Sequence, residues 1–229
     1  MPGSEPPNWD KRLWALYGSY SKGIDARALA YRQLFAPQLQ QYLGKRNVSV
    51  DHAVQMMESF FRVRPNPYYV IRGSVETPSK LTARALVEAQ WEEVCPSEWA
   101  QENFVCERRV RLKVHVEADE SGRITQFDEA AGPRFQYRVV ADSVSGYAIP
   151  HSNCDDTKGP SSEVEVPKGA IVEATGRYVQ NFGCGPCERL IQFLHEGNPY
   201  WTVQASCIRV YDEKTGPHTG GEDFLLELQ

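Results

Sequence analysis

Two cysteines, Cys184 and Cys187, have the residue type and the spacing that suggest chemistry most directly. A Cys-x-x-Cys pair exchanges thiols and disulfides when its first sulfur lies at a helix N-terminus, because the helix dipole lowers the thiol pKa. The segment 188–196 could form that helix. However, too few residues follow Cys187 to complete a redox domain, and no later Thr-Pro or Ile-Pro supplies a proline to face the pair. A thiol–disulfide function is therefore a second alternative.

The same cysteines could instead bind zinc or form disulfides. His151 and Cys154 form a similar pair about thirty residues earlier, and two such pairs could supply four tetrahedral zinc ligands: His151, Cys154, Cys184 and Cys187. A disulfide from Cys154 to Cys184 or Cys187, with the remaining cysteine joined to Cys207, is the favoured alternative. We therefore expect no cofactor, with zinc as the exception. The candidate disulfide residues are Cys95, Cys106, Cys154, Cys184, Cys187 and Cys207.

A third candidate site is an aromatic pocket in the first half of the chain. Its candidate lining residues are Tyr17, Tyr20, Tyr42, Tyr69 and Trp91. These side chains could enclose a small ligand, or they could be ordinary core residues. Asp51 and His52 stand where a helix begins, so capping and solvent explain them. With no acid or base expected to face the tyrosines, the sequence predicts no catalytic residue.

A basic row lies along one predicted strand face, formed by Arg109, Arg111, Lys113 and His115. Such a row is usually the solvent-facing side of a sheet. The alternative is a surface for a partner or for a second copy of the chain. This alternative predicts a homodimer that forms through the sheet face.

The spacing of apolar residues along the sequence predicts the helices and strands that could position these residues. Helices are predicted over 9–21, 26–35 and from residue 50, where Ser49 stands at the N-cap position. Asp25 could cap the second helix, and Pro65 and Pro67 end the third. Alternating patterns predict strands over 81–94 and 105–118, and a turn at 119–122 leads to a return strand over 124–128.

The order of loop, helix, proline break and strand over Tyr42–Glu76 resembles the nuclear transport factor 2-like superfamily. The closest likeness is to bacterial domains with the pattern YxGKRNVS…FFxRWPxxxY, although Arg64 precedes Pro65 here where a tryptophan is usual. The resemblance implies an α+β cone over residues 9–131, in which helices cover a curved antiparallel sheet. That superfamily includes isomerases, dehydratases and polyketide cyclases as well as binding modules, and no catalytic residue carries over.

Residues 134–212 show a second pattern. The segment Val164–Ala174 resembles the diverging turn of bacterial Src-homology-3-type domains, and Tyr200–Val210 resembles their closing strand. This resemblance implies a small all-β barrel, followed by a polar tail over 213–229. Because glycine and proline at 132–133 interrupt the pattern, we expect the two domains to meet there.

Composition narrows the function classes. A net charge of −5 argues against general nucleic-acid binding, and no apolar run reaches 18 residues. We predict a non-enzymatic binding protein that lies outside the cytoplasm, with the cone holding a ligand or partner and the barrel docking peptide or cell-wall material. The alternative is an isomerase-type or cyclase-type enzyme acting in the cone.

Overall fold

Contacts between residues divide the chain into two units. The first unit comprises Met1–Trp91 and Arg111–Pro133, and the second comprises Glu92–Val110 and Arg134–Gln229. The segment 92–110 thus groups with the second unit, although it precedes residue 131. The computed structural model describes residues 7–18, 22–64, 67–97, 104–150, 162–181, 188–203 and 207–210.

Where the first unit is described, it contains three helices: α1 (Trp9–Gly18), α2 (Ile24–Leu34) and α3 (Val50–Val63). In α3, the Ser49 hydroxyl accepts a hydrogen bond from the backbone N–H of His52 at 3.2 Å, which confirms the predicted N-cap. In α2, Gly23 takes the N-cap position, and Asp25 lies inside the first turn rather than capping the helix.

The described strands of this unit belong to one sheet. They are β1 (Gln38–Tyr42), β2 (Lys45–Ser49), β3 (Tyr68–Ser79), β4 (Thr82–Glu93), the second half of β5 (Phe104–Ala118) and β6 (Ile124–Ala131). The strand order is β2-β1-β6-β5-β4-β3; β1 pairs with β6 in parallel, and the β1–β2, β3–β4 and β5–β6 pairs are antiparallel. The β1–β2 hairpin replaces the polar loop that the sequence predicted, because Leu43 and Gly44 adopt positive φ angles at its turn.

The face of β4 and β5 that the sequence predicted to be charged is buried in part. Glu88 accepts hydrogen bonds from Arg72 at 2.7 Å and from Arg111 at 3.0 Å, and all three side chains are less than 10% exposed. A buried carboxylate needs such partners, since removing one of them leaves an uncompensated charge. The expectation that Arg111 faces solvent is therefore wrong.

The regular elements found among the described residues of the second unit are strands. They are β7 (Gln136–Val139), β8 (Ser143–Gly146), β9 (Val164–Pro167), β10 (Ile171–Asn181), β11 (Glu188–His195), β12 (Asn198–Val203) and β13 (Cys207–Val210), together with the first half of β5. The order β13-β7-β10-β11-β12 is antiparallel, and β8 and β9 pair separately. The described residues do not establish a closed barrel, so the α+β class is shown while the barrel remains a prediction.

Strand β10 changes partner along its length. Its first residues pair with β7, and Arg177–Asn181 pair with β5. Between the two parts lies Gly176, which has a φ of +88° and lies against the backbone of Arg109, in a stretch where the register of β10 with β11 shifts. A side chain there would meet that carbonyl oxygen, so glycine is required both by the backbone angle and by the space.

Candidate functional site

Glu129 is the carboxyl group that the fold brings to the inner face of the first unit's sheet. It follows Phe127 by two residues on β6, so both side chains point to the same face. On the neighbouring strand β5, Val114 is opposite Glu129 and Val116 is opposite Phe127. Both valines and Phe127 are at most 2% exposed. Glu129 therefore shares its face with core residues.

Tyr17 from α1 reaches this carboxyl group. Its hydroxyl donates a hydrogen bond of 2.6 Å to Oε1 of Glu129, although 112 residues separate the two in sequence. Burial raises the pKa of Glu129, and the Tyr17 hydrogen bond and the charges of Arg27 and Arg64 reduce that rise without cancelling it. Burial and the nearby carboxyl group also raise the pKa of Tyr17, so its phenol stays neutral.

Arg27 from α2 supplies a buried cation beside this pair. Its side chain is fully buried and donates hydrogen bonds to the carbonyl oxygen of Leu16 and to the Tyr31 hydroxyl. The guanidinium carbon lies 5.3–5.7 Å from the ring centres of Tyr31, Tyr17 and Tyr69. Three aromatic faces therefore help to compensate the cost of burying this charge.

Two further hydroxyl groups complete the arrangement. Tyr31 and Tyr42 share a hydrogen bond of 3.0 Å, and burial raises the pKa of Tyr42 well above its usual value. The Tyr42 phenol is therefore a neutral donor that feels the charge of Glu129. We call the set Tyr17, Arg27, Tyr31, Tyr42 and Glu129 the Glu129 cluster.

The predicted aromatic residues occupy different surroundings. Tyr17 and Tyr42 belong to the Glu129 cluster, and the Tyr69 ring lies 5.5 Å from that of Tyr17. Trp91 packs edge-on against Phe60 at 6.3 Å. Tyr20 lies outside the described residues. That these side chains line a ligand cavity remains a prediction.

Sequence reasoning missed Glu129, Arg27, Tyr31 and Arg64. The predicted return strand ended at Asp128, one residue before Glu129. Continuing the alternation from Phe127 would have placed Glu129 on the inner face. For Arg27, its spacing from Tyr31, one helical turn away, was the available signal.

Most of the predicted cysteine and zinc residues, namely His151, Cys154, Cys184 and Cys187, lie outside the described residues, and the side chain of Cys207 is not described. The sulfur atoms of Cys95 and Cys106 lie 2.03 Å apart and their Cα atoms 5.3 Å apart, which is disulfide geometry. The described part of the chain holds no cluster of three metal-binding side chains.

The segment after Cys187 is strand β11 and not the helix that a redox pair requires. The helix dipole on which the redox alternative depended is therefore not supplied by these residues. This removes one support of the redox alternative.

The basic row is also not a continuous exposed surface. Arg109 forms an ion pair with Glu107 at 3.1 Å, and only 14% of the Arg109 side chain is exposed. Arg111 is buried against Glu88. Lys113 is exposed, and the partly exposed His115 lies 3.0 Å from Glu117. A dimer through the sheet face stays a prediction.

An open cleft of about 390 Å³ lies elsewhere in the first unit, where the β1–β2 hairpin meets the start of α3. It contains exposed basic side chains and no part of the Glu129 cluster. Its lining residues are Gln38, Lys45, Arg46, Asn47, Val48, Ser49 and His52.

No helix within the described ranges is both long enough and apolar enough to cross a membrane.

No protein-family model matches the sequence, and no curated protein matches it. Solved structures similar to the chain include an NTF2-like protein of unknown function from Exiguobacterium sp. 255-15, with 12% identity and a TM-score of 0.41 over 53% of this chain and 96% of that one. A candidate SnoaL-like polyketide cyclase from Jannaschia sp. CCS1 has 13% identity and a TM-score of 0.42 over 53% and 83%. A Δ5-3-ketosteroid isomerase from Mycobacterium sp. has 10% identity and a TM-score of 0.39 over 54% and 92%.

The prediction of a non-enzymatic binding protein is wrong. It depended on the absence of an acid or base beside the tyrosines, and Glu129 stands there with a hydrogen bond from Tyr17. The polyketide cyclase and the ketosteroid isomerase are similar to this chain only at TM-scores of 0.42 and 0.39, so their names carry no argument about its reaction. Since these likenesses are low, the reaction has to be argued from the residues of the first unit itself.

Proposed function

We propose that the first unit is an acid–base enzyme acting on a small molecule, of the isomerase or cyclase kind, with Glu129 as the proton-transfer group. The observation that carries the proposal is the partly buried Glu129 carboxyl group, which accepts a hydrogen bond of 2.6 Å from Tyr17 and whose pKa is raised by loss of water. A carboxyl group with a raised pKa holds and releases its proton closer to neutral pH, which suits it to general acid–base catalysis.

The proposed step moves a proton between two carbon atoms. The Glu129 carboxylate removes a proton from a carbon next to a substrate carbonyl, and the C–H electron pair forms a carbon–carbon double bond while the carbonyl oxygen gains negative charge. The Tyr42 hydroxyl, whose raised pKa keeps it neutral, is suited to donate a hydrogen bond to that oxygen. The protonated Glu129 then returns the proton to a carbon, which leaves the carboxylate for another cycle.

The test is the exchange of substrate protons with solvent. We expect the wild-type protein in D₂O to speed deuterium incorporation next to the carbonyl of 2-tetralone, measured by proton NMR. Glu129→Gln should slow this exchange by about 10²- to 10⁴-fold, the usual contribution of a general base. The wild-type rate should rise with pH as Glu129 loses its proton.

Glu117→Gln is the matched control, because Glu117 lies on the adjacent strand β5 with 44% of its side chain exposed, beside His115. We expect it to leave the exchange rate unchanged. A Glu129→Gln rate equal to that of the wild type would overturn the proposal. So would a wild-type rate equal to that of buffer across a panel of enolisable ketones.

We further propose that the second unit is a barrel of the Src-homology-3 type, and that residues 9–131 and 134–212 fold as separate domains. The support is the antiparallel order β13-β7-β10-β11-β12 around a core that includes Tyr137, Tyr178 and Phe193. In a closed barrel, the outermost strands β12 and β13 would also be covered by a neighbouring strand. We therefore expect slow hydrogen exchange of their backbone N–H groups. Free exchange at both outer strands would argue for an open sheet.

We also propose an extracytoplasmic protein with a Cys95–Cys106 disulfide, since structural disulfides persist in oxidising compartments. The support is the disulfide geometry of these residues and the packing of Cys106 with Val179, Leu190 and Trp201. Thiol counting with and without reductant, followed by peptide mapping, should find this pair linked. Six free thiols without reductant would contradict the proposal, and metal analysis of the same sample would detect zinc.

A further inference from the structure

The cleft between the β1–β2 hairpin and the start of α3 is lined by positive charge and by no negative charge. Its volume of about 390 Å³ lies within the range of small-molecule sites. Lys45 and Arg46 are two of its seven lining residues, and none of the seven is acidic. Because a concave surface lined by charges of one sign concentrates its electric field, this cleft attracts anions.

The position of β2 in the sheet explains why two consecutive cations reach the same cleft. Strand β2 is the last in the described strand order, so no other described strand covers its outer edge. Neighbouring side chains of a strand start on opposite faces, but Lys45 and Arg46 are long enough to extend around this uncovered edge. Both are exposed, whereas Val48 on the same strand is buried.

The described residues do not neutralise these two cations. Neither side chain forms a hydrogen bond or an ion pair with the described part of the chain. Two nearby carboxyl groups have other partners: Asp51 pairs with Arg32 at 3.4 Å, and Asp128 accepts a hydrogen bond from the backbone N–H of Gly44 at 2.8 Å. An anion from solution can therefore act as the counterion of both cations.

The cleft also contains hydrogen-bond donors that suit an anion with several oxygen atoms. A guanidinium group presents paired N–H donors, and an ammonium group presents three. The side-chain amides of Gln38 and Asn47 add further N–H donors. By contrast, the backbone N–H groups of Val50 and His52, at the start of α3, already have acceptors. Side chains, and not the helix N-terminus, are therefore the groups available to a ligand.

We propose that this cleft binds a small molecule that carries a phosphate monoester group. Such a group has a charge of about −1.5 to −2 at pH 7 and three acceptor oxygen atoms, which matches two cations and several donors. Arg46 donates to two phosphate oxygen atoms, and Lys45 compensates the remaining charge. The site shares no residue with the Glu129 cluster, so the inference goes beyond the proposed function.

The test follows the backbone N–H signals of the full-length protein by NMR while phenyl phosphate is added. We expect a Kd of about 1 mM or lower, with the signal changes concentrated in residues 38–52. Benzoate should bind roughly tenfold more weakly, because it has one charge and two oxygen atoms.

The variant that tests the site is Arg46→Gln, which should weaken the binding of phenyl phosphate roughly tenfold. Arg62→Gln is the matched control, because Arg62 is an exposed cation in the last turn of the same helix, α3, whose first turn borders the cleft. Its affinity for phenyl phosphate should stay that of the wild type.

Several results would overturn the proposal. They are an absence of signal changes at about twentyfold the expected Kd, changes centred outside residues 38–52, and equal binding of phenyl phosphate and benzoate. Equal affinities of Arg46→Gln and Arg62→Gln would also overturn it, since they would show only a general attraction to positive charge. If Arg46→Gln does not fold, Lys45→Gln supplies the same comparison, and wild-type affinity in that variant would contradict the site.

Discussion

Replacing Arg27 with methionine tests whether the buried cation stabilises the first unit. Methionine keeps an unbranched apolar stem and removes the guanidinium group. The change deletes the hydrogen bond from Arg27 to the Leu16 carbonyl oxygen and three contacts with the rings of Tyr17, Tyr31 and Tyr69. We expect the variant to fold with a lower free energy of unfolding.

The size of the decrease in the free energy of unfolding can be worked out from these contacts. Each ring contact contributes about 0.5–1 kcal/mol, and a hydrogen bond involving a charged group contributes about 1.5–3 kcal/mol. The lost interactions therefore amount to about 3–6 kcal/mol, and removal of a buried charge returns roughly half of this through relieved desolvation. A net loss of about 1.5–3 kcal/mol corresponds to a decrease of about 1–2 M in the urea midpoint, for a slope of about 1.5 kcal/mol per molar.

The loss of stability caused by Arg27→Met should also depend on pH. Arg27 lowers the pKa of Glu129, so its removal raises that pKa further above the unfolded value of 4.5. A carboxyl group whose folded pKa is raised stabilises the fold below its unfolded pKa, and this stabilisation is lost as pH rises through the folded pKa. The destabilisation by Arg27→Met should therefore be larger at pH 8 than at pH 4.5.

Urea unfolding followed by tryptophan fluorescence measures both effects. Arg32→Met is the matched control, because Arg32 lies on the same helix with 53% of its side chain exposed and pairs with Asp51 at 3.4 Å. An exposed pair of this kind contributes less than about 1 kcal/mol. The reasoning would be refuted by equal midpoints for Arg27→Met and the wild type, or by equal losses for the two variants.

Three further predictions concern other parts of the chain. The stability of Glu129→Gln relative to the wild type should increase as pH rises above 4.5, because glutamine has no carboxyl group to ionise; constant relative stability in unfolding curves from pH 4 to pH 8 would contradict this. Gly176→Ala should lose more stability than Gly169→Ala, since both have positive φ angles but only the first would meet the backbone of β5; equal midpoints would show that the angle alone matters. Limited proteolysis, followed by mass spectrometry, should cut first within 130–135 or 151–163, and a resistant fragment spanning both ranges would argue against separate domains.

Several elements of the first unit could be predicted from the sequence because their causes are local. The Ser49 cap and the apolar spacing defined α3, and alternation defined β4 and most of β5. The β1–β2 hairpin could not be recognised in the same way, because its exposed polar residues carry little alternation and its turn contains the non-glycine residue Leu43 at positive φ. Pairing of β1 with β6, which is distant in sequence, supports this hairpin.

The candidate site depended mainly on contacts between distant residues. The sequence placed Tyr17, Tyr42 and Tyr69 in one aromatic group because apolar periodicity indicates which side chains face the core. It could not show that α1 brings the Tyr17 hydroxyl to Glu129, or that Arg27 and Arg64 act on the same carboxyl group. The pKa of a carboxyl group is set by its loss of water and by charges within a few ångströms. The packing of helices onto the sheet determines which charged groups come this close to the carboxyl group. The sequence therefore determined the aromatic character of this interior, and only the tertiary structure determined its acid–base character.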